Sequence, residues 1–164
     1  MNKYLKSIHL TSTVGLWSSV AAVIFASLFS YLSPYRFYPS AVTARWMLIA
    51  GSVLAVLSIS ASLLVVRKQI PALRQAESLE TKLSGYANHI KSLYLNMMSV
   101  VVIICALTIL SAQNVLLMLA IVSVLMLFLA YPNIYRIKTD LGLSDDEART
   151  LFGDRYISDN KNEE

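Results

Sequence analysis

Three stretches of this chain carry no Asp, Glu, Lys or Arg: the 29 residues between Lys6 and Arg36, the 21 between Arg45 and Arg67, and the 44 between Lys91 and Arg136. An α-helix rises about 1.5 Å per residue, so a hydrocarbon layer about 30 Å thick takes roughly 20 residues to cross. The first two intervals each hold one crossing. The third would make a rod about 66 Å long, so it must fold back. Ser111, Ala112, Gln113 and Asn114 form the small and polar cluster near its middle, with Gln113 and Asn114 placed to cap the turn. The predicted crossings are 10–32, 46–66, 93–110 and 115–131. Backbone amides in hydrocarbon must pair within their own segment, which makes each crossing helical. The expected class is an all-α, polytopic membrane protein with four transmembrane helices over 1–135 and an acidic tail over 136–164. Composition agrees: 56% of the residues are apolar and 15% charged. A water-soluble fold would need far more amphipathic material to surround four uncharged helices.

Lys and Arg set the orientation. With both termini inside, 12 basic residues face the cytoplasm and only Arg36 and Arg45 face outward. Four crossings return the chain to its starting side, so parity and charge agree. Tyr31, Tyr35, Phe37, Tyr38 and Trp46 gather at the outer interface, and Tyr131 and Tyr135 at the inner one. The first uncharged stretch is too long for a signal h-region and no A-x-A site follows it, so it is expected to remain as an anchor. The same basic bias accounts for the excess positive charge without nucleic acid.

The segment 67–92 is expected to be a helical extension on the cytoplasmic side. Ala76, Leu79, Leu83, Tyr86, Ile90, Leu93 and Met97 recur in steps of three and four, the spacing of a helical seam. Two geometries fit. Either one helix runs from about Ala72 into the third crossing, or the second crossing extends past Pro71 and turns at Ser84-Gly85.

In the tail, Ser144 with Glu147 three positions later forms a capping-box signature, and Gly153 closes a short helix over 145–152. Residues 133–164 carry a net charge of −3 and the first 132 a net of +7. This reads as a solvated acidic tail, with 157–164 disordered for lack of apolar content. The run Tyr131-Pro132-Asn133-Ile134-Tyr135-Arg136-Ile137-Lys138-Thr139-Asp140-Leu141-Gly142-Leu143-Ser144-Asp145-Asp146-Glu147 resembles the C-terminal end of small four-helix bacterial inner-membrane proteins. The resemblance covers under a fifth of the chain. It implies a bacterial inner membrane and no particular activity.

Acidic residues are absent before Glu77 and from all four predicted crossings. Ion-coupled transport uses ionisable groups at membrane depth as its coupling device, so that class is disfavoured. Cys105 stands alone among Val, Ile and Leu and reads as a small buried hydrophobe. His9 and His89 lack metal-ligand spacing, and no phosphate loop or nucleophile elbow occurs. No catalytic, metal or cofactor residue is therefore assigned. His89 and Asn96, seven apart with Tyr86 nearby, form a weak candidate polar site for a lipid head group. Small residues recur at helix-contact spacing: Ser18, Ala22, Ala26 and Ser30 in the first crossing, Gly51, Ala55, Ser58 and Ser62 in the second. These stripes predict that the first two crossings pack on one another, or else form a subunit interface. The fourth crossing, rich in Leu, Val and Met, is expected to face lipid.

The functional expectation is a non-enzymatic membrane scaffold, accessory subunit or regulator that binds a protein partner, or a second copy of itself, through the cytoplasmic helix and tail. A channel, pore-forming effector or carrier of a neutral or lipidic solute, and a lipid-handling enzyme at the inner interface, are the competing readings. Membrane lipids are the one contact common to all three. The orientation is tested by thiol labelling in a Cys105→Ala background. A membrane-impermeant maleimide should label Ser40→Cys in intact bacterial cells and reach Lys161→Cys only after permeabilisation; the reverse pattern would invert the topology.

Overall fold

A computed structural model describes residues 2–32, 39–76, 78–111 and 113–153. The aromatic cluster at Tyr35, Phe37 and Tyr38, the turn residue Ala112 and the stretch 157–164 lie outside the described residues. The elements are α1 (Asn2–Leu32), α2 (Ala41–Arg74), α3 (Leu79–Ser111), α4 (Asn114–Leu129), α5 (Ile134–Leu141) and α6 (Asp145–Phe152).

Helices α1, α2 and α3 are each long and apolar enough to cross a membrane. Only 28%, 18% and 39% of their respective apolar windows is buried inside the chain, so most of that apolar surface points outward. Trp17, Phe25, Ile49, Leu57, Leu64 and Phe128 are all more than half exposed. Contiguous apolar surface on this scale calls for apolar surroundings. With 16 residues, α4 is about 24 Å long. It reaches membrane length only together with α5, from which it bends by 76°. The predicted fourth crossing is thus a short helix followed by a sharp change of direction. One stripe of α4 is buried, Leu116, Ala120, Ser123 and Leu127, with Leu117, Leu119 and Val124 half-buried beside it, and the opposite face points outward.

Several hydroxyls inside the helices bond their own backbone. Ser12, Ser19, Ser27, Ser99, Thr108, Ser111 and Ser123 each donate to the carbonyl four residues earlier, at 2.6–2.9 Å. This satisfies the polar atom within its own helix and leaves apolar atoms to pack.

At the centre, α3 packs against α1, α2 and α4. Its buried stripe runs unbroken from Leu83 through Tyr86, Ile90, Tyr94, Met97, Val101 and Ile104 to Thr108. The expected pairing of the first two crossings is not what forms: α1 and α2 each contact both α3 and α4 but hardly touch one another. Their small residues receive large side chains from α3 and α4 instead. A Cβ on Gly15 would stand 2.9 Å from the Tyr94 ring, and one on Gly51 would stand 2.6 Å from a Leu116 methyl. Ala26 and Ala55 join a second cluster with Val101, Ile104, Leu116 and Ala120. Small residues admit a neighbour closely, and hydropathy does not say which neighbour.

The extension combines parts of both expected geometries: the second crossing does run past Pro71, and one helix does run into the third crossing, but from Leu79 and without a turn at Ser84-Gly85. Helix α2 continues one turn beyond Pro71 to Arg74, and α3 starts at Leu79. Gln75 ends α2, and the Ser78 hydroxyl accepts from Thr81 N at 3.1 Å and caps α3. Gly85 sits inside α3, where the end of α2 presses Leu73 into the space a Cβ would fill. It is a contact glycine and not a helix stop. Helix α3 ends at Ser111 and α4 starts at Asn114, as the fold-back requires, but Gln113 makes no side-chain capping bond. Gly85→Val should therefore wedge α2 from α3 and cost about 1–3 kcal/mol of stability, read from reversible unfolding in detergent.

Candidate functional site

Beyond Tyr131 the chain builds a compact junction from α5 and α6. Asn133 caps α5, its Oδ1 accepting from Arg136 N at 2.7 Å, and Gly142 ends the helix at φ 60°. That left-handed conformation favours glycine. Across the junction, Arg74 at the end of α2 donates from Nε to the Asp140 carbonyl at 2.9 Å and from Nη2 to the Thr139 carbonyl at 2.8 Å. These are among the carbonyls a helix C-terminus leaves unpaired, and a cation there is also favoured by the helix dipole. Tyr86 donates to Asp140 Oδ2 at 3.0 Å, and Arg136 Nε lies 3.6 Å from the same oxygen.

Ser144 and Glu147 form a complete capping box at the start of α6. Lys138 reaches Asp145 at 2.7 Å and Lys82 reaches Glu147 at 4.0 Å. Partly exposed pairs of this kind contribute about 0–1 kcal/mol each. The apolar contacts weigh more. Ile137, Leu141, Leu143 and Leu151 are buried in one cluster with Ile70, Leu83, Tyr86 and Ile90, and burial of such side chains stabilises by about 1.5–3 kcal/mol apiece. The segment 134–152 is accordingly docked on α2 and α3, which corrects the expectation of a solvated tail. The apolar seam of 79–97 is covered by the chain itself. Helix α5 is absent from the expected elements, although Asn133 and Gly142 are its start and stop signals.

The weak polar-site residues separate. Tyr86 belongs to the α5 junction. His89 and Asn96 line a groove of about 300 Å³ between α2 and α3, with Ser62 and Ser92. His89 is buried and its Nδ1 lies 2.8 Å from Gln69 Oε1 on α2. Asn96 is exposed, and its Nδ2 donates to Ser58 Oγ at 2.8 Å, which in turn lies 3.7 Å from Met97 Sδ. Gln69, Arg74 and Asp140 are the partners that sequence reasoning missed. Only contacts between distant segments bring them to His89, α5 and Tyr86.

Of the small-residue stripes, Gly51, Ala55, Ser58 and Ser62 are all buried. In α1, Ala26 is buried, Ala22 and Ser30 are half-buried and Ser18 is exposed, while the adjacent Ser19 is buried. The inward face of α1 therefore passes through Ser12, Gly15, Ser19 and Ala26. Among the described residues no three His, Cys, Asp or Glu side chains converge as a metal site. Comparison with family models, curated proteins and solved structures finds no match for this chain.

Two outcomes test the junction. Leu141→Ala should cost about 2–5 kcal/mol locally and expose 134–153 to protease in detergent. Arg74→Met, which keeps the stem over Gly142, should expose it much less. The hydrogen bond from Ser144 N holds the Glu147 carboxyl below the usual range, helped by the Ser144 hydroxyl and Lys82 and opposed by slight burial. A lowered folded pKa adds stability above the ordinary carboxylate pKa, and that stability is lost as pH falls through the lowered value. The protection of α6 amides, measured against the intrinsic exchange rate at each pH, should therefore fall in acid, and Glu147→Gln should flatten that dependence.

Proposed function

We propose that this chain is a multi-pass protein of the bacterial cytoplasmic membrane, four helices across with both termini inside. In this reading it acts without chemistry of its own, as a scaffold or accessory subunit whose α5–α6 junction meets a protein partner or a second copy. The observation that carries the reading is the docked junction. A tail that served only as a solvated end would need no cap from Arg74, no Tyr86 bond to Asp140 and no buried Ile137 and Leu141. Once its apolar side is consumed internally, α6 presents exposed Asp145, Asp146, Arg149 and Thr150, and α5 presents Tyr135 and Thr139. Charged and hydrogen-bonding side chains around one exposed aromatic suit a polar, specific contact in water. The positive-inside charge distribution and the outward apolar faces of α1, α2 and α3 support the membrane assignment.

The test is photo-cross-linking in native membranes, with the photoreactive residue placed at Tyr135 or Arg149. The expected result is a discrete adduct, with a partner or a second copy, that disappears when Leu141→Ala releases the junction. A chain that gives no adduct at either position and runs as a monomer in mild detergent would defeat the proposal.

A further inference from the structure

We infer that the groove between α2 and α3 binds one anionic glycerophospholipid, its phosphate and ester oxygens meeting Ser62, His89, Ser92 and Asn96. The starting point is Ser62. It is nine-tenths buried and lines the groove, yet its hydroxyl has no partner among the described residues. Seven other hydroxyls of the long helices bond the carbonyl one turn back; Ser62 does not. A buried hydroxyl left unpaired is costly, and a bound acceptor removes that cost.

The surrounding groups select the chemistry. His89 engages Gln69 through Nδ1, which leaves Nε2 uncommitted, and the Ser92 side chain is exposed beside it. No carboxylate lines the groove. Helix α2 has no acidic residue at all, and the only one in α3 is Glu80, three helical turns from Ser92. Exposed Lys68 follows Val65 by three positions and so shares its side of α2, one turn toward the basic end. From α5, Asp140 also acts on His89, but its carboxylate is engaged by Tyr86 and Arg136; hydroxyls, an imidazole and a nearby ammonium suit an oxygen-rich anion and not a cation.

The route in is apolar. Leu57, Leu64 and Val65 on α2 are exposed around the groove, so the ligand reaches it from the side that faces hydrocarbon. A volume of about 300 Å³ suits a headgroup and glycerol, while the acyl chains lie along the exposed helix faces.

This inference rests on the membrane assignment, and the experiment separates the two. Vesicles bearing the full chain are first extracted at alkaline pH. A chain that washes off defeats the membrane reading, and with it the groove. A retained chain is purified in detergent, and binding of dioleoylphosphatidylglycerol is compared with that of dioleoylphosphatidylcholine by native mass spectrometry. One phosphatidylglycerol per chain should persist where phosphatidylcholine is lost. Ser62→Val should weaken retention roughly fivefold, the loss of one hydrogen bond, and Ser62→Leu should abolish it by filling the groove. Ser30→Val removes the other buried hydroxyl without a partner among the described residues, outside this groove, and should leave retention unchanged. Equal retention of the two lipids, unaltered retention in a folded Ser62→Leu chain, or displacement by soluble glycerol phosphate would each overturn the inference.

Discussion

The buried stripe of α3 is the surface on which every other element depends. From Leu83 to Thr108 it turns one face of a 33-residue helix toward its neighbours. Its two halves serve in different ways. Along the apolar length, bulky α3 side chains meet small ones: Tyr94 fills the space over Gly15, and Val101 and Ile104 meet Ala26 and Ala55. In hydrocarbon, exclusion of water supplies no drive for helices to associate, so close packing of this kind must hold them. Tyr94 adds a polar tie by donating to the Leu127 carbonyl of α4 at 3.0 Å. Nearer its N-terminus the stripe turns to α5 and α6, where Leu83, Tyr86 and Ile90 cover Ile137, Leu141 and Leu151. There the ordinary hydrophobic effect suffices.

The junction also shows how charge is used. Residues 133–164 are net acidic and the rest of the chain is net basic, so attraction between them is an obvious explanation for docking. The geometry gives it a minor part. Arg74 binds backbone carbonyls and no carboxylate, and the Lys82–Glu147 pair stands at the 4.0 Å limit. Hydrogen bonds to a helix end and buried aliphatic side chains fix the position, and exposed charges adjust it. Asp146 and Arg149 stay exposed on α6.

Much of the local structure was legible in advance. The charge-free intervals mark the long helices, Ser144 with Glu147 marks the start of α6, and the three-four spacing of 79–97 marks the face of α3 that becomes buried. Asn133 and Gly142 marked α5 equally well, but an eight-residue helix beside a predicted crossing was hidden by the stronger apolar signal of its neighbour. The candidate site was less legible. His89 and Asn96 share a groove, but Tyr86 leaves it for Asp140, and Ser62 enters it from a helix where it counted only as a packing residue.

Sequence alone determined where helices run, where several begin and end, and which solvent their surfaces suit. Each of these is decided by hydrogen bonds within a few residues or by side-chain hydropathy summed along one segment. Tertiary structure decided that α1 and α2 lie apart, that Gly85 receives Leu73, that Ser19 and not Ser18 points inward, and that the tail is folded back. One residue is about 100° around a helix, and small side chains accept many partners. The winning arrangement depends on volumes contributed by segments far apart in the chain, and those volumes meet only once the helices have packed.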